Sequence, residues 1–149
     1  MRYLKPGWFA RKVFNPAVAL LTRAGLSIWG SRILEVTGRT TGALRKTPVN
    51  VLTHEGSRYL VAPRGETQWV RNVRASRSAV LRLGRRREAV QAIELSDEDK
   101  PEVLRAYLKR WKAEVGVFFG GVGPRASDQQ LLDIAPNHPV FRIEPGERR

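Results

Sequence analysis

Arg32-Ile33-Leu34-Glu35-Val36-Thr37-Gly38-Arg39-Thr40-Thr41-Gly42-Ala43-Leu44-Arg45-Lys46-Thr47-Pro48-Val49-Asn50-Val51-Leu52 is the stretch on which the fold turns. Its opening residues alternate polar and apolar, the period of a half-buried strand, and Val49 to His54 reads as a second strand. Between them, Thr37 to Pro48 holds two glycines, several threonines and the permanent cations Arg39, Arg45 and Lys46. Glycine lets backbone N–H groups approach an anion, while guanidinium and ammonium groups supply charge and donors. The pattern predicts a hairpin that grips a phosphate or carboxylate. An ordinary hairpin with a solvated basic tip is the alternative.

Strand signals continue on the C-terminal side. Arg58 to Ala62 follows a Glu55-Gly56 turn, and Pro63-Arg64-Gly65 leads into a short helix over Thr67 to Ala75. Ala79 to Leu83 and Arg87 to Glu94 flank Gly84-Arg85-Arg86 as a hairpin, whose outward arginines read as a solvated face rather than a nucleic-acid track. Ser96 opens the clearest helix, with Asp97, Glu98 and Asp99 in its first turn and Pro101 tolerated early. Leu104, Leu108, Trp111 and Val115 share one stripe of it, facing a core. Gly116 to Gly123 reads as a flexible apolar loop around Phe118 and Phe119, 127–134 as a short helix, and Val140 to Ile143 as a closing strand. Antiparallel hairpins with few crossovers predict an α+β, mainly β architecture: a small barrel or curved sheet dressed by helices.

On the N-terminal side, Trp8, Phe9, Val13, Phe14 and Leu20 interleave with Lys5, Arg11, Lys12 and Arg23. Residues 1–31 therefore form an expected amphipathic helical segment, with Pro16 at a break, and 32–145 the barrel domain. That segment fits either packing on the domain or peripheral attachment to an anionic membrane.

At 149 residues the chain is long enough for one domain with a proper core. It contains no cysteine, which removes disulfides and thiolate chemistry, and its two histidines, His54 and His138, lie far apart in sequence, which argues against a zinc site. The formal charge of +13 calls for an anionic partner or surface, general solubilising charge being the bland alternative. There is no secretory pattern and no apolar run of about 20 residues, so cytoplasm is the expected compartment, with peripheral attachment to the inner membrane face as an option.

No nucleophile elbow, Walker loop or dinucleotide fingerprint occurs. A chain this poor in acid–base groups either binds without reacting or lets a cofactor perform the chemistry. Trp69 and Asn72 lie three apart and share a helix face, where an indole and an amide suit a flat heteroaromatic ring. A core tryptophan beside a solvated asparagine is the alternative.

Thr37-Gly38-Arg39-x-x-Gly42-x-x-Arg45-x-Thr47-Pro48, then Arg64-Gly65, then Trp69-x-x-Asn72-x-Arg74-Ala75, resemble the deazaflavin-dependent nitroreductase family. The likeness runs from about Ile33 to Ile143. It implies a split β-barrel (FMN-binding-like) of about six antiparallel strands and coenzyme F420 as cofactor, with FMN less favoured. Arg39, Thr40, Thr41, Arg45 and Lys46 would cradle the cofactor's phosphate and glutamate tail. Thr47, Pro48, Val49 and Asn50 would pass beside the deazaflavin. Ala62, Pro63, Arg64 and Gly65 would line the ring or its ribityl chain, and Gln68, Trp69, Val70, Arg71 and Asn72 would wall the ring and phosphate.

The chain departs from many relatives at Thr40, where they carry a second cation, at Val70, where they carry an aromatic, and at Phe118 and Phe119, where they use tyrosines. The last change implies an apolar substrate pocket suited to a hydrophobic enone, quinone or fatty-acyl-like ligand rather than a nitroimidazole. The resemblance thus implies a reductase that passes hydride from reduced coenzyme F420 to an activated C=C, quinone or nitro acceptor. The proton source stays open among solvent, Tyr59, Tyr107 and a backbone-held water. The rival reading is a non-enzymatic lipid or fatty-acid binder of the same fold, membrane-associated through residues 1–30. A nucleic-acid partner is not expected, since the strands offer few aromatics among their cations. Monomer and homodimer are both compatible.

Overall fold

A computed structural model describes residues 31–146; the expected N-terminal helical segment lies outside these residues except for Ser31. Six strands, β1 (Ser31–Thr37), β2 (Leu44–His54), β3 (Ser57–Val61), β4 (Ser78–Leu83), β5 (Arg86–Glu94) and β6 (Val140–Pro145), close into an antiparallel barrel in the order β1-β2-β3-β6-β5-β4. Among the described residues three α-helices accompany them: α1 (Gln68–Ser76), α2 (Pro101–Val115) and α3 (Asp128–Ile134).

β2 starts five residues earlier than its apolar run indicates. Leu44 to Asn50 pair with Thr37 to Ser31 of β1, whereas pairing with β3 begins only at Val51. The charged half of the expected loop is therefore strand, and the turn proper is short. Pro48 lies opposite Ile33 in that half. It is tolerated because, among the described residues, β2 has a paired neighbour on one side only there, so the missing N–H breaks no ladder. Among the described residues the same asymmetry leaves an open backbone edge along residues 44–50, and that edge becomes a wall of the site.

Two cores flank the sheet. Inside the barrel, Leu34, Val36, Val49, Leu60, Leu81, Val90, Phe141 and Ile143 pack together, and α1 inserts Val70 and Val73 as a plug. Arg58 and Glu88 share the inward side with Leu60 and Val90 by strand alternation, and they meet in a two-pronged ion pair at 2.7 Å on each prong. Outside the barrel, α2 lays Leu104, Tyr107, Leu108, Trp111 and Val115 over Leu52, Val61 and Val140, with Phe119 and Leu131 completing the layer.

The α2 stripe follows the helical period, but the start of the helix differs from expectation. Ser96 precedes a 3₁₀ turn over Asp97–Asp99, and the α-helix begins at Pro101. Ser96 Oγ donates to Asp99 Oδ2 at 3.0 Å instead of accepting from the helix backbone. Lys100 then turns inward, its ammonium donating to Asp97 and to the Ala135 carbonyl, and Pro101 takes the first helical position, where an N–H is dispensable. The Gly116 to Gly123 region is more ordered than its glycines imply. Gly116–Phe119 is a 3₁₀ turn, and both phenylalanines are buried.

The outward arginines of the β4–β5 hairpin are not all solvated. Arg87 and Arg82 reach the buried carboxylate of Glu35 at 2.7 and 3.5 Å, and Lys46 approaches it at 3.9 Å from the neighbouring strand. Three cations around one buried carboxylate satisfy it from both sides of β1.

Candidate functional site

The turn between β1 and β2 is built by its glycines. Gly38 N–H donates to the Ala43 carbonyl at 2.7 Å, and Gly42 N–H donates back to the Gly38 carbonyl at 2.9 Å. Gly42 sits at φ +75°, the left-handed region that disfavours side chains. A Cβ on Gly38 would lie only 3.1 Å from the Ala43 carbonyl oxygen.

α1 fixes this turn in place. Asn72 is buried, and its Oδ1 accepts from both the backbone N–H and the Nη1 of Arg39, at 3.1 and 2.8 Å. The same guanidinium donates to Gln68 Oε1 at 3.0 Å. Asn72 thus acts as the anchor of the basic turn, and its amide oxygen is engaged before any ligand arrives. Trp69, one turn away, packs its ring on Phe141 with centroids 6.0 Å apart.

Turn, open β2 edge and α1 enclose a cavity of about 750 Å³, within the range of small-molecule and cofactor sites. Its lining includes Arg39, Thr40, Thr41, Arg45, Lys46, Thr47, Pro48, Val49, Asn50, Ala62, Pro63, Arg64, Gln68, Trp69 and Asn72, all expected from the sequence. Val36, Gly38, Val61 and Thr67 also line it and were not singled out as site residues, and so does Tyr107, which the sequence offered only as one of several proton sources. Tyr107 falls at the helical spacing of Leu104, Leu108 and Trp111, so the α2 period already carried the signal.

Five expected residues stand elsewhere. Gly65 is buried in the turn before α1 at φ +86°, Val70 is wholly buried in the barrel plug, and Arg71 points to the exposed side of α1. Phe118 and Phe119 border a second cavity of about 180 Å³, which shares only Pro63 and Arg64 with the first. There the Phe119 ring stacks on His138 at 4.0 Å, and His138 Nδ1 lies 3.0 Å from the Pro63 carbonyl oxygen.

Electrostatics single out the larger cavity. Four cations, Arg39, Arg45, Lys46 and Arg64, line it, and no carboxylate does among the described residues. Arg45 has no hydrogen-bond or ion-pair partner among the described residues. Arg74 behaves differently: Glu94 and Glu66 both bind its guanidinium and push its pKa up, so its charge is already matched. The Arg74 hydrogen bond in turn holds the Glu66 carboxyl below its usual range.

An unsatisfied group points the same way. Thr67 Oγ1 is buried, has no partner among the described residues, and belongs to the N-cap of α1, where it makes no capping bond. An anionic ligand in the cavity would meet a free guanidinium, a free hydroxyl and the electropositive end of a helix. The residues fit a polyanionic cofactor with a flat apolar portion.

Barrel and cavity together define a cofactor-dependent reductase of the split-barrel class. Over residues 6–117 the chain matches the family described as F420H(2)-dependent quinone reductase, and it belongs to that family. It is an F420-dependent oxidoreductase. In fold it is similar to an F420-H2 dependent reductase, FDR-A, at 18% identity and TM-score 0.55, covering 80% of this chain and all of the other. It is also similar to a protein of unknown function from Agrobacterium tumefaciens, at 16% identity and TM-score 0.56, covering 95% of this chain and 57% of the other. A third structure, described as a domain-swapped dimer, matches at 17% identity and TM-score 0.56, over 92% and 97% of the two chains. No curated protein matches the chain.

Proposed function

We propose that the chain reduces a hydrophobic quinone or enone, with reduced coenzyme F420 held in the cationic cavity. The observation that carries this reading is a cavity with four cations, no carboxylate among the described residues and one phenol. When bound, the reduced cofactor supplies a hydride. Arg45, Arg39 and Lys46 would hold its phosphate and carboxylates, and Thr67 Oγ1 with the start of α1 would complete the grip. Trp69, Pro48, Val49 and Ala62 supply the apolar surface for a flat ring. The open edge of β2 offers backbone donors and acceptors to the ring's rim.

Reducing a quinone or enone with a hydride also requires one proton. Of the two tyrosines left open by the sequence, Tyr107 lines the cavity, whereas Tyr59 packs against the outer core. The other polar groups on the wall are threonine hydroxyls and side-chain amides, too weakly acidic, and the four cations. Tyr107 Oη would give its proton to the acceptor oxygen as hydride arrives at the electron-poor carbon, and would recover a proton from water. The apolar lining from Val36, Val61 and Pro63 suits a hydrophobic acceptor better than a polar nitroimidazole.

Anaerobic mixing of the protein with reduced coenzyme F420 and a soluble naphthoquinone tests this, with the oxidised deazaflavin followed by absorbance. Quinone-dependent oxidation is expected. A rate no higher than that without protein, for both quinone and enone acceptors, would remove the proposal. The basic, aromatic composition of residues 1–30 supports attachment to an anionic membrane, where apolar quinones dissolve. Co-flotation with anionic but not neutral vesicles is the expected result. Among the described residues, no helix is long and apolar enough to cross a membrane.

A further inference from the structure

Away from the cofactor cavity, the β2–β3 hairpin meets the beginning of α2. His54 closes β2, Glu55 sits in the following turn, and Glu102 lies in the first turn of α2. One donor atom from each lies within 4.8 Å of the other two. His54 Nε2 is 4.0 Å from Glu55 Oε1, has almost no exposed surface, and has no hydrogen-bond partner among the described residues. A buried ring nitrogen without a partner calls for an explanation, and an ion is one of the ordinary ones. Neither carboxylate has another partner among the described residues, and both are exposed.

We propose that His54, Glu55 and Glu102 form a binding site for a divalent transition-metal ion, with Zn²⁺ the best match. One imidazole nitrogen with two carboxylate oxygens is a borderline donor set, suited to zinc rather than to the hard ions magnesium and calcium. Zinc–ligand distances of about 2.0–2.2 Å put neighbouring donors roughly 3.4 Å apart. The two surface carboxylates can close the remaining gap by side-chain rotation alone. Three protein ligands leave a fourth position for water. Because the ligands come from the β2–β3 hairpin and from α2, the ion would clamp the outer helical layer to the barrel. None of the three residues lines the cofactor cavity, so the site is independent of the reductase reading.

Calorimetric titration of the tag-free full chain with Zn²⁺ at neutral pH tests the site, paired with thermal unfolding. A one-to-one isotherm and a raised unfolding midpoint are expected, with neither given by Mg²⁺. His54→Ala and Glu102→Gln, which come from different elements, should each weaken zinc binding about tenfold or more. Both should leave coenzyme F420 binding unchanged, which shows that the variants are folded. The proposal is overturned if the wild-type chain shows no saturable zinc binding, or if either variant binds zinc as the wild type does.

Discussion

Arg45, Asn72 and Tyr107 divide the labour of the cavity at the level of single residues. Arg45 has no partner among the described residues, so its removal should cost the fold little and the ligand much. Arg45→Ala should weaken coenzyme F420 binding by about 1.5–3 kcal/mol, roughly ten- to a hundredfold, as read by fluorescence titration. Asn72 is the opposite case, because it is buried and holds Arg39 by two hydrogen bonds. Asn72→Ala leaves those donors unsatisfied and should lower unfolding stability by about 1–3 kcal/mol in urea, with weaker cofactor binding as a consequence. Tyr107→Phe keeps the ring that packs on Trp111 and Phe119 and removes only the hydroxyl. Quinone reduction should then slow by about a hundredfold or more with cofactor affinity unchanged, and an unaltered rate would take the proton role from Tyr107.

Among the elements, β2 is where local reading and tertiary structure part company. Val49 to Leu52 is apolar and was legible as strand, while Leu44 to Pro48 is charged and holds a proline, which locally reads as loop. Pairing with β1 overrides that local preference, and Lys46 gains Glu35 as its cross-strand neighbour. α1 was legible almost to its ends, because Gly65 and the Trp69–Asn72 spacing are local features. The role of Asn72 was not legible, since its partner lies 33 residues away in sequence. The same holds for Phe118 and Phe119: the flanking glycines speak of freedom, but burial against α2 and His138 depends on distant residues. The α2 stripe, by contrast, follows directly from the helical period. Leu108 is fully buried in it, so Leu108→Ala should destabilise the protein by about 2–5 kcal/mol in a urea melt.

For the molecule as a whole, charge serves both function and stability. Four cations stand in the cavity, while Arg58, Arg74, Arg82, Arg87 and Arg105 are each matched by a carboxylate elsewhere. The hydrogen bond from Arg58 holds the solvent-exposed Glu88 carboxyl below its usual range. A depressed carboxyl pKa stabilises the folded state above its unfolded value of about 4.3, and the benefit is lost as the pH falls. The stability difference between wild type and Glu88→Gln should therefore be present near neutral pH and shrink as acid is added, as checked by thermal unfolding across that range. The central claim, that the cation-lined cavity between β1, the open edge of β2 and α1 receives the cofactor, is tested most directly by a crystal structure of the chain with coenzyme F420. The account predicts the anionic groups against Arg39 and Arg45 with the deazaflavin beside Trp69; a cofactor bound elsewhere, with Arg45 turned to solvent, would contradict it.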